Sequence, residues 1–119
     1  MPTVEEVVAL YATAWNEPDA AARRRTLEGA WADRGVYSDP TAHVEGRDAL
    51  VEHIAGFQSQ MPGARIGRTT AVDAHGTVAR FGWHLVQADG TEALVGLDFV
   101  ELAEDGRIAR VVGFFGPLD

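Results

Sequence analysis

The strongest constraint on this chain is a change of period at Arg65. Upstream of it, apolar residues recur at three- and four-residue spacing, the mark of amphipathic helices. Downstream, four runs rich in β-branched and aromatic residues, roughly 65–74, 77–88, 91–103 and 107–115, are separated by His75-Gly76, Ala88-Asp89-Gly90 and Glu104-Asp105-Gly106. Short glycine-bearing separators of this kind join antiparallel neighbours. Helices first and a meander of strands afterwards predict an α+β fold, with the N-terminal helices packed on one face of a curved, mostly antiparallel sheet.

The helical half has readable punctuation. Thr3 followed by Glu6 is a capping box, and Val4, Val7, Val8, Tyr11 and Trp15 then form one buried stripe. Asn16-Glu17-Pro18-Asp19 stops that helix, and Asp19 caps a second that runs to about Trp31, with Arg23, Arg24 and Arg25 outward and Leu27 and Trp31 inward. Ala32-Asp33-Arg34-Gly35 reads as a turn, Val36 to Ser38 as a short strand leading to Asp39, and Pro40 to Glu45 as a loop. Gly46 opens a third helix with Leu50, His53, Ile54, Phe57 and Met61 inward, stopped at Pro62-Gly63.

Composition narrows the function. At 119 residues the chain fits a single domain, 1–119, large enough to bury a continuous core. It has no cysteine, which excludes disulfides, thiolate nucleophiles and cysteine-bound zinc and makes a reducing cytoplasm the expected location. A net charge of −8 argues against nucleic-acid partners. No apolar run is long enough to span a membrane, and Met1-Pro2-Thr3 leads straight into an acidic helix start, so neither a membrane nor a targeting segment is expected.

Strand parity singles out one residue. In the third run Leu94, Gly96, Asp98, Val100 and Leu102 share a face, and Asp98 is the only charge among them. It has two readings: a structural carboxylate, paired to backbone or an arginine such as Arg80 or Arg110 or turned to water by a bulge, or a carboxyl in an apolar pocket whose burial favours the protonated, hydrogen-bond-donating form. Pro40 forces Asp39 out of helical geometry and presents its carboxylate at the end of a strand. Tyr11 adds a phenol from the first helix. Singly, these are a core tyrosine and a turn aspartate; together the three divide the labour of a carboxylate base and two neutral donors for a developing oxyanion.

The order of elements, with Tyr11 in Val7-Val8-Ala9-Leu10-Tyr11, Ser38-Asp39-Pro40, Gly46 at a helix start, Asp98-Phe99 and Asp105-Gly106-Arg107-Ile108, resembles the nuclear transport factor 2-like superfamily. That group includes ketosteroid isomerases, SnoaL-like polyketide cyclases, scytalone dehydratase and limonene epoxide hydrolase. The resemblance implies a cone-shaped fold, and the isomerase comparison implies catalytic roles: Tyr11 as oxyanion tyrosine, Asp39 as base and Asp98 as protonated aspartate.

Trp15, Trp31, His53, Phe57, Met61, Phe81, Trp83 and Phe115 are then the expected walls of a pocket for a small apolar molecule, with plain core packing as their alternative. His43, four residues past Asp39, is a candidate proton relay or an ordinary loop residue. No histidine has metal-ligand spacing, so neither metal nor cofactor is expected. The outer sheet face, Ala93, Val95, Leu97, Phe99 and Glu101, is nearly as apolar as the inner one, which predicts a homodimer through that face. Two further functions stay open: a non-catalytic module binding a hydrophobic ligand or a partner chain, and an assembly element whose cavity is filled by its own aromatic side chains.

Overall fold

The Thr3 hydroxyl accepts a hydrogen bond from the Glu6 amide while Glu6 reaches back to the Thr3 amide, and this capping box starts α1 (Val4–Asn16). Asp19 accepts from the Ala22 amide and caps α2 (Ala20–Ala30). The chain then enters β1 (Trp31–Asp39) and β2 (Ala42–Glu45), and Gly46, at a φ of 93° that favours glycine, leads into α3 (Arg47–Gln60). Five strands follow: β3 (Arg65–Arg68), β4 (Asp73–His75), β5 (Val78–Val86), β6 (Glu92–Leu102) and β7 (Ile108–Phe115). The computed structural model describes residues 2–116.

The sheet is mixed and unclosed, in the order β2-β1-β7-β6-β5-β3, with β4 also pairing with β5. Only β1 and β7 run parallel; the other pairs are antiparallel. The three helices cover one face, where Val7, Val8, Leu27, Leu50, Ile54, Val100, Ile108 and Val111 are fully buried or nearly so. Tyr11 and Trp15 join this core from α1, as the period-3.6 stripe requires. In β5, Ala79, Phe81, Trp83 and Leu85 alternate inward.

Several local expectations are corrected. Residues 32–35 are not a turn. They belong to β1, whose pairing with β7 is irregular between Trp31 and Val36, so the extra backbone bulges while strand direction continues. Trp31 lies at the head of that strand, just past the end of α2. The loop expected over 40–45 contains β2, paired antiparallel with β1, and the run at 65–74 is split into β3 and β4.

Arg23 is not outward but 2% exposed. Its guanidinium donates to the carbonyls of Glu17, Pro18 and Val51 and to Gln58 Oε1, and Gln58 in turn donates to the carbonyls of Trp15 and Glu17. The turn between α1 and α2 leaves carbonyls that a helix would have used, and a buried guanidinium with five donors satisfies them. This clamp ties the end of α1 to α3 and so fixes two walls of the cavity described next.

Candidate active site

A cavity of about 440 Å³ opens between the helices and the concave face of the sheet. Tyr11, Asp39 and Asp98 all line it, from α1, β1 and β6. Their convergence follows from register. Ser38 pairs with Val112 in β7, and Gly113 pairs with Asp98 in β6, so Asp39, Gly113 and Asp98 stand in a row across three adjacent strands. A Cβ placed on Gly113 would lie 3.1 Å from Asp98 Oδ1 and 3.4 Å from the Asp39 Cβ. The missing side chain leaves the two carboxyl groups facing one shared volume.

Asp39 is held from three directions. Its Oδ2 accepts from the Tyr37 hydroxyl at 2.5 Å, and its Oδ1 accepts from the Thr41 amide at 2.7 Å and the Thr41 hydroxyl at 2.8 Å. Tyr37 and Asp39 are two apart on one strand and therefore share a face, which lets the phenol reach along β1 to the carboxylate. Pro40 and Thr41 turn the chain into β2, and the Thr41 bonds close an Asx turn there. Burial, then the hydrogen bond to Asp39, push the Tyr37 phenol far above its ordinary range, so it remains a donor.

Asp98 is 7% exposed, and its pKa is raised from 3.8 to about 7. Desolvation is the largest cause; the indole N–H of Trp83, donating to Oδ1 at 2.9 Å, opposes it, and the charge of Asp39 adds to it. Trp83 can reach because its cross-strand partner is Gly96, and the indole lies over the bare backbone there. Asp98 Oδ1 is the oxygen bonded to Trp83, and among the described residues no hydrogen bond reaches Oδ2. The arginines considered as partners are engaged elsewhere: Arg80 with Asp73 and Arg110 with Glu101.

Tyr11 is 3% exposed and stacks on Trp31, with ring centroids 5.5 Å apart and planes 15° from parallel. Burial first, then the charge of Asp98, raise its pKa well above the usual phenol value, which keeps it a neutral donor. The site thus combines one carboxylate fixed in orientation with two buried acids that favour their protonated forms.

Trp15, His53, Phe57, Met61, Phe81, Trp83 and Phe115 line the cavity, and Trp15 packs edge-on against both His53 and Phe57. Trp31 does not: it is wholly buried behind Tyr11 and forms the floor beneath the phenol. His43 is also outside the cavity. On β2 it pairs with Ser38 of β1, is exposed, and its ring lies 3.2 Å from Glu45, because the residue opposite Ser38 faces away from Asp39. The aromatic side chains line the cavity without filling it. Among the described residues no group of three His, Asp or Glu side chains is placed to hold a metal ion, and no helix is long and apolar enough to cross a membrane.

Tyr37 and Gly113 are among the contributors that escaped the sequence reading. The first carried a signal, since it shares strand parity with Asp39. The second becomes meaningful only once β7 is known to lie between β1 and β6.

Comparison with known proteins agrees with this architecture. The family model described as "SnoaL-like domain" matches residues 7–111. A solved candidate isomerase of the SnoaL-like family from Agrobacterium tumefaciens str. C58 is 34% identical, with a TM-score of 0.90 over 97% of this chain and 100% of that one. A candidate polyketide cyclase from Sinorhizobium meliloti shares the fold at 17% identity and TM-score 0.72, over 95% of this chain and 94% of its own. A protein with a cystatin-like fold from Methylobium petroleophilum PM1 does so at 17% identity and TM-score 0.78, over 98% and 77%. No curated protein matches. With a family match spanning most of its length and the helix-on-sheet cone that goes with it, the chain belongs to the SnoaL-like domain family of the nuclear transport factor 2-like superfamily.

Proposed function

We propose that this protein is an acid/base enzyme acting on a carbonyl-bearing, largely apolar small molecule, by isomerisation, cyclisation or dehydration. The observation that carries the reading is the row Asp39, Gly113, Asp98, with the Tyr11 phenol facing the same cavity. Asp39 removes a proton from the carbon next to the carbonyl, and the C–H electron pair moves through the new double bond onto the oxygen. Tyr11 and protonated Asp98 donate to that oxygen as charge builds on it. Return of the proton from Asp39 to another carbon completes an isomerisation with no external reagent. Donors preset in a dry site need no reorganisation at the moment of reaction, and losing one costs on the order of a hundredfold or more in turnover. Relatives described as a candidate isomerase and a candidate polyketide cyclase fit this class of chemistry.

The test is steady-state turnover of carbonyl substrates by Asp39→Asn and Asp98→Ala. Asp39→Asn should lose roughly a thousandfold and Asp98→Ala roughly a hundredfold. Unchanged turnover in both would end the catalytic reading.

A second reading rests on Asp39, whose two oxygens are already engaged by Tyr37 and Thr41. A carboxylate so occupied also suits a cavity that only holds a ligand. In that case binding of a naphthol-type phenol, followed by tryptophan fluorescence, is insensitive to Tyr11→Phe. We further infer a homodimer through the outer sheet face, where Val95, Leu97 and Phe99 adjoin Val112 and the exposed Phe114. Leu97→Glu should convert a dimer to a monomer in sedimentation velocity.

A further inference from the structure

We propose that the cavity takes an amphiphilic carbonyl compound, a flat apolar body with a carboxylate remote from the reacting oxygen, and that Arg68 recognises that carboxylate. The proposal rests on reading Tyr11 and Asp98 as the oxygen-binding end, and it adds the opposite end of the ligand.

Arg68 is the last residue of β3 and pairs directly with Trp83, as Ile66 pairs with Leu85. Directly opposed residues share a face of the sheet, so Arg68 and Ile66 project to the concave side with the two inward residues of β5. Arg68 lines the cavity and is the only arginine among its lining residues; the chain has no lysine at all. It has no carboxylate partner among the described residues, unlike Arg24, Arg47, Arg80, Arg107 and Arg110; Arg23, Arg25, Arg34 and Arg65 also lack one, but none of them lines this cavity. Arg68 is exposed, so it stands at the rim of the cavity, and with eighteen acidic residues against ten arginines in the chain it is a local positive charge in a negative field.

Position gives the ligand its length. Arg68 stands two strands across and two residues along from Asp98, which is roughly 12 Å at the backbone. Two fused rings with a substituent at each end bridge that span between side chains. Glu52 on α3 and Asp39 on β1 also line the cavity, and among the described residues no ion pair joins Glu52 to Arg68. An anionic tail is therefore repelled from the α3 and β1 sides and drawn to β3, which leaves the carbonyl end directed at Tyr11 and Asp98. Guanidinium matches carboxylate geometry with two parallel N–H donors, so the contact orients as well as attracts.

An inward-pointing charge on an edge strand also discourages strand-to-strand association. That role makes no demand on the ligand, and the two are separable by binding. The probes are 2-naphthol and 6-hydroxy-2-naphthoic acid, titrated at pH 7 and low salt by tryptophan fluorescence and calorimetry. The wild type should bind the naphthoate about three- to tenfold tighter. That ratio should fall to near one in Arg68→Met and shrink in 0.5 M salt in the wild type.

A ratio near one in the wild type, a preference that survives Arg68→Met, or failure of both probes to bind overturns the proposal. Tyr11→Phe separates it from the reading it rests on. Weakening of both probes at an unchanged ratio supports both; no change in either affinity, with a ratio still governed by Arg68, removes the oxygen-binding end and leaves the anion subsite standing.

Discussion

Trp31 and Trp83 occupy closely matched settings and do different things. Each indole lies across a glycine, Gly35 for Trp31 and Gly96 for Trp83, and a Cβ on either would overlap the ring. Each also touches a member of the candidate site, since Trp31 stacks on Tyr11 and Trp83 donates to Asp98. The difference is the indole N–H. In Trp31 it is buried with no partner among the described residues, whereas in Trp83 it meets a carboxyl oxygen. Trp31 is wholly enclosed and acts by volume, as a floor that fixes the phenol. Trp83 borders the cavity and acts by polarity, moderating a carboxyl that burial would otherwise raise further. A dry aromatic support can tolerate one orphaned donor because its apolar contacts outweigh the cost, but an aromatic beside a titrating group cannot be replaced on size alone.

The largest effect that tests this contrast is on folding. Trp31→Ala should cost about 3–5 kcal/mol in urea unfolding at pH 5, because it empties a site with no access to solvent. Trp83→Ala should cost visibly less, since one side of that indole already faces open space; equal losses would break the comparison.

Next in size is the titration of Asp98. Its carboxyl holds its proton to about pH 7 in the folded protein against an ordinary value of 3.8, so the folded state binds the extra proton between those limits. The contribution of Asp98 to stability is therefore full below about pH 3.8, falls as pH rises toward about 7, and levels off above. Asp98→Asn keeps an acceptor for the Trp83 N–H and cannot ionise. It should match the wild type at pH 4 and exceed it by roughly 2–4 kcal/mol at pH 8, measured by thermal unfolding across that range. A difference between wild type and Asp98→Asn that does not change with pH would show that Asp98 titrates at its ordinary value in the folded protein.

The smallest and sharpest comparison replaces each indole by phenylalanine. Trp83→Phe removes the hydrogen bond that opposes desolvation, so the fall in stability should move to higher pH. Trp31→Phe discards only an unused donor along with some volume, and should change stability by about 1 kcal/mol or less without moving that fall.

Much of this was legible beforehand because period and parity are local. The switch of period at Arg65 located the helices and the meander, and a lone charge among apolar residues on one face of a strand located Asp98. Pro40 marked Asp39. What failed depended on partners far along the chain. Three consecutive arginines look alike in sequence, and only the carbonyls left open at the α1–α2 turn distinguish Arg23. Trp31 fitted the helical stripe and is instead the first residue of a strand, where the β1 bulge sets its facing. His43 was close to Asp39 in number but lies beyond a turn that reverses direction, and strand pairing rather than proximity decides where it points.

Gly113 works by what it lacks. Along the row from β1 to β6 it is the place where a hydrogen atom stands instead of a side chain, and the two acids meet only because of it. An alanine would leave every reactive group present, yet would set a methyl group against Asp98. Reactivity in such a molecule is encoded partly by subtraction: an inventory of functional groups would score the altered chain as intact, while the room in which those groups cooperate had gone.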